Sequence, residues 1–285
     1  MQYTEFIHPE DAAALNALKS IPILSTVVKK VMDIGAEQLQ TGLNMASKVK
    51  LSPTQLPRLY NILPPICEQL EIKEPDFYLE MNPDPNAYAF GDTQTAITIT
   101  SALVDMMSED ELIGVVAHEC GHIACRHMLY HTLAQIIANA SGMFETLAKL
   151  AVPIHYALMY WQRKSELSCD RAAAYIVGPK ATASMLARLA GGPKSITSEL
   201  NLEELAGQAD LYDAFCKNGL WNKTLQTYAV LDQDHPFTSV RVREMLKWTE
   251  SDEYRNLIRT NPTCPNCHNA IDSSWKFCQH CGHKL

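Results

Sequence analysis

The sequence predicts an α+β fold that is mainly helical, with a small antiparallel sheet before one central helix and a short cysteine-rich tail. Three observations predict it. Apolar residues recur at helical spacing through most of the chain. Three short β-branched or alternating segments cluster between residues 76 and 101. The C-terminal stretch holds four of the nine cysteines in two close pairs. With 285 residues, 47% of them apolar, the chain can build one large domain with attachments. The expected division is a helical wrapping segment over 1–70, the main domain over 71–258 and the tail over 259–285. A net charge of −8 disfavours general nucleic-acid binding. Met1-Gln2-Tyr3-Thr4-Glu5-Phe6 does not read as a cationic, apolar leader. Cys67, Cys120, Cys125, Cys169 and Cys216 are scattered, which suits a reducing compartment better than a disulfide framework. Cytoplasmic placement is therefore the default expectation, with peripheral membrane contact left open.

In chain order, Pro9 to Leu70 reads as helical. Ile23, Val27, Val28, Val31, Met32 and Leu39 form one stripe. Leu56, Leu59, Tyr60, Leu63, Ile66 and Leu70 form another, interrupted by Pro64-Pro65. Asp76–Met81 then reads as a strand, Asn82-Pro83-Asp84-Pro85 as a turn, Asn86–Gly91 as a second strand and Thr95–Ser101 as a third. The second strand, with Asn86, Ala87, Tyr88 and Ala89, carries small residues on alternate positions. Such a strand is either an ordinary core strand or an edge that takes up an extended peptide by backbone pairing.

Ser108-Glu109-Asp110-Glu111 is a capping box with acids in the first turn, so a helix begins there. It carries His118-Glu119-Cys120-Gly121-His122. At about 100° per residue His118 and His122 share one face, and their imidazoles can converge on one zinc ion. Glu119 lies beside them and can reach a metal-bound water without being a ligand. Gly121 keeps the surface between the histidines low, for substrate or for packed backbone. The helix is expected to run on through His127 and His131, which read as exposed or satisfied histidines rather than a second metal site. Leu129 to Trp161 lacks a clean run of about twenty apolar residues, so no membrane span is expected. A helical hairpin is, either packed on the domain, closing over a cleft or touching a membrane surface.

Trp161 to Ala174 reads as a helix that ends before Gly178-Pro179. Glu166 and Asp170 lie four residues apart on one face. A catalytic zinc takes three protein ligands and one open position, and Glu166 can supply the third. Asp170 can accept the ring N–H of a ligand histidine and fix its tautomer.

H-E-x-x-H followed by E-x-x-x-D on a second helix is the gluzincin arrangement, and the chain resembles the HtpX-like and CAAX-prenyl-protease group of metallopeptidases. Four blocks carry the resemblance in order: Asn86–Gly91, His118–His122, Glu166-x-x-x-Asp170-Arg171-Ala172, and His235-Pro236 with Arg241. It implies a zincin-type domain in which zinc is held by His118, His122 and Glu166, Glu119 is the general base and the Asn86–Ala89 strand binds a polypeptide substrate. It also implies that His235 donates to the developing oxyanion and that Arg241 pairs with an acid near the zinc. The membrane embedding of some family members is not carried over.

In the tail, Cys264 and Cys267, then Cys278 and Cys281, form two C-x-x-C knuckles. They resemble a zinc ribbon, with a second, structural zinc closed off by four thiolates and an outer surface that can bind a protein partner. The expected activity is that of a zinc-dependent endopeptidase. The rival reading is a catalytically silent or latent protease-like adaptor that uses the ribbon to reach partners.

Overall fold

The computed structural model describes residues 1–22, 24–26, 28, 35–139, 145–217 and 237–285. Side chains of residue 36 and of residues 135–139 and 145–153 are outside this description. Among the described residues the fold is mainly helical with one four-stranded sheet, as the periodicity predicts, but the sheet is mixed and not antiparallel. Strands β1 (Val49–Lys50), β2 (Asp76–Glu80), β3 (Ala87–Phe90) and β4 (Ala96–Thr100) lie in the order β1-β2-β4-β3. β2 and β4 are parallel, with Phe77 opposite Ile97. Among the described residues β3 pairs only with β4, in antiparallel register, and so forms one edge.

The Asn82–Pro85 segment explains the departure from a meander. Its two prolines lack N–H groups for a tight hairpin. It is instead bound to the end of β4: the Thr100 hydroxyl donates to Asp84 O, Asn86 N–H donates to Thr100 Oγ1 (2.9 Å) and Ala102 N–H donates to Asn82 O. The chain thus crosses the end of β4 and returns on its far side. Gly91 then closes the β3–β4 turn at φ +90°, where a Cβ would lie 2.1 Å from Gln94 O.

The N-terminal 70 residues are less uniformly helical than expected. They contain α1 (Pro9–Lys19), α2 (Ala36–Ser47), strand β1, and the short α3 (Pro57–Tyr60) and α4 (Leu63–Gln69). The apolar stripe from Ile23 to Met32 falls largely outside the described residues. Leu59, Leu63 and Ile66 do not merely wrap the domain; they join Phe77, Ile97, Ile99, Val116 and Ala173 in the main core. A second core cluster holds Ala14 and Leu18 of α1 against Leu133, Ile154, Leu158 and Trp161.

After α5 (Ser101–Met106) comes α6 (Glu109–Ala124), opened by the expected capping box; Ser108 N–H donates to Glu111 Oε2 at 2.8 Å. Glu111 also meets Arg188, which ties the start of α6 to a later helix. α6 does not run on through His131. It ends at Ala124, Arg126 adopts φ +56°, and α7 (Met128–Asn139) begins afresh. α8 (Glu145–Val177) is one long helix that includes Pro153 and stops at Gly178, whose φ of +84° suits a glycine. α9 (Pro179–Gly191), α10 (Lys194–Thr197), α11 (Leu202–Lys217), α12 (Thr238–Thr249) and α13 (Asp252–Thr260) follow. Among the described residues no helix is long and apolar enough to cross a membrane.

Candidate active site

α6 and α8 pack so closely that the site is built in their seam. Gly121 is a point of close approach: a Cβ there would meet Ala172 Cβ at 3.0 Å and Cys169 Cα at 3.1 Å. The space left beside Gly121 is therefore filled by packed backbone. This approach brings Glu166, six residues before Ala172 on α8, against both histidines of α6. His122 Nε2 lies 3.2 Å from Glu166 Oε1, and His118 Nε2 lies 3.4 Å from Glu166 Oε2. All three side chains are buried.

These separations test whether a metal fits. Tetrahedral ligands about 2.0–2.1 Å from a zinc ion lie about 3.3 Å from one another. Each Nε2 stands at about that spacing from one oxygen of the carboxylate, and two imidazoles with one carboxylate are a zinc donor set that leaves a position open. Cys169 is also near enough to join His118 and His122 in a metal-holding group. Its sulfur faces His127 Nδ1 (3.8 Å), and burial pushes its thiol well above the usual range. Glu166, with an oxygen toward each Nε2, is the better placed donor.

The imidazoles are held from behind. His118 Nδ1 lies 3.1 Å from Asp170 Oδ1. Arg241, on α12, donates through Nε and Nη2 to the two oxygens of Asp170 (2.8 and 2.7 Å) and through Nη1 reaches Glu166 Oε2 (3.1 Å). Burial would raise the Asp170 carboxyl, but the Arg241 charge and hydrogen bonds hold it below its ordinary value. Burial alone would likewise lower His118, yet the facing Glu166 and Asp170 raise it to about 9 in the metal-free site. Arg241, and not the neighbouring Arg243, is thus the guanidinium at this site; Arg243 pairs outward with Asp210 and Asp213.

Glu119 is buried, and its carboxylate makes no hydrogen bond or ion pair with the described residues. Strand β3 packs against α6 and α7, with its outer backbone edge unpaired in the described sheet. Ala87 and Ala89 pack toward the main core. Tyr88 instead bonds away from it: its hydroxyl donates to Glu80 Oε2 (2.8 Å) and meets Lys48 Nζ. Asn86 is anchored to Thr100 through its backbone. His235 lies outside the described residues.

The histidines read as ordinary, His127 and His131, prove to be close neighbours of the site. His127 is fully buried and contacts His122, and His131 Nε2 lies 3.1 Å from Ser165 Oγ. Asp11, buried on α1, accepts from Trp161 Nε1 (3.0 Å) and from the Ser168 hydroxyl. Burial raises its carboxyl, and these bonds together with His127 more than reverse that. Nothing local in the sequence marks Asp11, because an acid in a first helical turn is commonplace.

In the tail, Cys264, Cys267, Cys278 and Cys281 converge. Cys264 and Cys281 sulfurs lie 3.7 Å apart, and those of Cys267 and Cys278 lie 3.6 Å apart. Sulfurs about 2.3 Å from one tetrahedral zinc would be about 3.8 Å apart, so this set also fits. The two knuckles match: His268 N–H donates to Cys264 O and Gly282 N–H to Cys278 O, with positive φ at both His268 and Gly282. His268 is not a ligand candidate, since its ring faces Asp110 at 3.1 Å.

A paired-histidine helix, a glutamate from a crossing helix and a buried glutamate beside them, unpaired among the described residues, define the class of zinc metallopeptidases. Comparison with known proteins agrees. Residues 53–249 match the model of peptidase family M48, and residues 263–285 match that of a zinc-ribbon domain. The chain belongs to peptidase family M48, whose metal is zinc. It is 33% identical over 261 residues to the plastoglobule-localized metallopeptidase 48, chloroplastic, of Arabidopsis thaliana, covering 90% of this chain and 75% of that one. It is 27% identical over 178 residues to a protease HtpX homolog of Neisseria meningitidis, covering 52% of this chain and 64% of the relative. The chain therefore spans less than two thirds of that bacterial relative. Among solved structures, S. mikatae Ste24p is similar over 85% of this chain and 61% of its own, with 15% identity and a TM-score of 0.46.

Proposed function

We propose that the chain is a zinc-dependent endopeptidase in which His118, His122 and Glu166 hold the metal and Glu119 is the general base. One observation carries this reading: the two oxygens of Glu166 face the two Nε2 atoms at tetrahedral ligand spacing, while the Glu119 carboxylate stands unpaired among the described residues. A zinc ion held by His118, His122 and Glu166 would lower the pKa of water and polarise the scissile carbonyl. Asp170 accepts the His118 Nδ1–H, which leaves Nε2 as the ligating atom. Arg241 neutralises Asp170 and balances part of the charge on Glu166. Glu119 takes the proton from the attacking water and passes it to the leaving amine. The free edge of β3, from Asn86 to Ala89, pairs with the backbone of an extended polypeptide. In this reading His235 donates to the oxyanion. The tail zinc is structural, and the outer face of the ribbon is a surface for a protein partner.

The test is incubation of the zinc-loaded protein with a mixed peptide library, with and without a chelator. Internal cleavage that the chelator abolishes is the expected result. Intact peptides with zinc bound at both sites would favour the silent adaptor.

A further inference from the structure

The zinc ligands have unequal support in the matched family region. His118 leans on Asp170 of α8, which lies within it. His122 leans on His127, and behind His127 stands Asp11, which lies outside residues 53–249. His122 Nδ1 is 3.2 Å from His127 Nδ1, and His127 Nε2 is 3.0 Å from Asp11 Oδ2. The second contact is off the line of the ring N–H. Even off that line, an anionic oxygen at 3.0 Å favours a protonated nitrogen over one that carries a lone pair, so the proton belongs on His127 Nε2. His127 Nδ1 is then an acceptor, and His122 must carry its own proton on Nδ1. That leaves His122 Nε2 unprotonated and turned toward Glu166.

Two features of the backbone exist to make this contact. The left-handed Arg126 ends α6, and His127 N–H bonds back to His122 O (2.9 Å), which folds His127 under the ligand. A non-glycine residue in that region is strained by about 1–2 kcal/mol. Secondly, α1 is bolted to α8 at this point: His8 N–H donates to Ser168 Oγ, and the Ser168 hydroxyl donates to Asp11. Asp11, His127 and Trp161 are all fully buried.

We propose that Asp11, acting through His127, is a positioning residue for the zinc site, so that helix α1 completes a metal centre whose ligands all lie outside it. The carboxylate selects the tautomer of His127, and His127 selects that of His122 and fixes its ring plane. This inference rests on the assignment of His118, His122 and Glu166 as the zinc ligands.

The experiment is a chelator-competition titration of the full-length, zinc-loaded protein, which resolves the weaker domain site from the four-thiolate site. It is paired with the absorption spectrum of the cobalt-substituted protein. His118→Ala is the reference and should lose the domain metal; if it keeps that metal, the ligand assignment itself fails. Asp11→Ala and His127→Phe should each weaken zinc binding at the domain site roughly 10- to 100-fold and change the cobalt ligand-field bands. Asp11→Asn, which keeps an acceptor for His127 but no charge, should fall between. Leu18→Ala loosens the packing of α1 in the second core cluster without touching Asp11, and its zinc affinity should stay within about twofold of the starting protein, a limit set well below the loss expected of Asp11→Ala. Should Asp11→Ala fail to fold, His127→Phe decides. Unchanged affinity and cobalt spectrum in the folded Asp11 or His127 variant, with the His118 reference behaving as expected, overturns the proposal. An equal loss in Leu18→Ala overturns it too, because α1 would then act only as packing.

Discussion

Helix α6 carries two mid-helix glycines that meet different neighbours, and replacing each with alanine separates the packing of the site from helix propensity. In isolation each Gly→Ala change in a helix should gain about 1 kcal/mol. At Gly121 the new methyl would stand 3.0 Å from Ala172 Cβ and 3.1 Å from Cys169 Cα. Cys169 Cα is backbone of α8 and cannot rotate aside, so the helices must part by a few tenths of an ångström. Overpacking of this kind costs about 1–3 kcal/mol, which outweighs the propensity gain or cancels it. At Gly114 the methyl would meet Met185 Sδ at 3.2 Å and Val177 Cγ2 at 3.3 Å. A methionine sulfur has rotamers to spare, so most of the propensity gain should survive. The two variants should therefore differ by about 1–3 kcal/mol, with Gly121→Ala the weaker. In a domain of this size that is a difference of several degrees in melting temperature. Parting α6 from α8 also widens the 3.2–3.4 Å span between the histidines and Glu166, so Gly121→Ala should bind domain zinc more weakly while Gly114→Ala binds it normally. Melting of the two proteins with chelator present, and zinc competition on each, check this. Equal stability and affinity in the two variants, or Gly114→Ala as the poorer, would refute the reasoning.

Other outcomes follow from the same geometry. Glu119→Gln should keep its metal and lose about 10²–10⁴ in turnover, read by metal analysis beside a peptidase assay. Arg241→Ala removes the guanidinium that pairs with the buried Asp170 and Glu166 carboxylates and should destabilise the metal-free protein by about 3–5 kcal/mol in a denaturant titration. In the metal-free protein His118 is raised from an ordinary 6.5 to about 9. Its contribution to stability is complete below the lower value and is lost as pH rises through the upper one. Chelated protein should therefore melt at a lower temperature at pH about 9.5 than at pH about 6, with the difference suppressed when zinc occupies Nε2. Truncation before Thr263 removes the Gln69 to His268 O hydrogen bond and the His268–Asp110 contact. Neither belongs to the zinc-ligand cluster, so the shortened chain should hold about one zinc and still cleave unstructured peptides. A folded, zinc-bearing but inactive truncation would place the ribbon within the catalytic unit.

The sequence by itself determined what depends on neighbours one helical turn apart. His118 with His122, and Glu166 with Asp170, share faces because four residues are only slightly more than one helical turn. The capping box at Ser108 sets where α6 begins, and each C-x-x-C is a closed local knuckle. Local periodicity places such side chains before the rest of the chain is considered. Tertiary structure alone decided the contacts that join distant segments. β4 lies between β2 and β3 because the Asn82–Pro85 segment is bound across its end, and the alternation of side chains within each strand carries no record of strand order. α6 breaks at Arg126 although the apolar spacing would let it continue, since the left-handed turn returns His127 to His122. Arg241 reaches Asp170 across 71 residues of chain, and Trp161 reaches Asp11 across 150. A periodicity read along the chain reports which way a side chain faces; what it meets there is settled only when the helices pack.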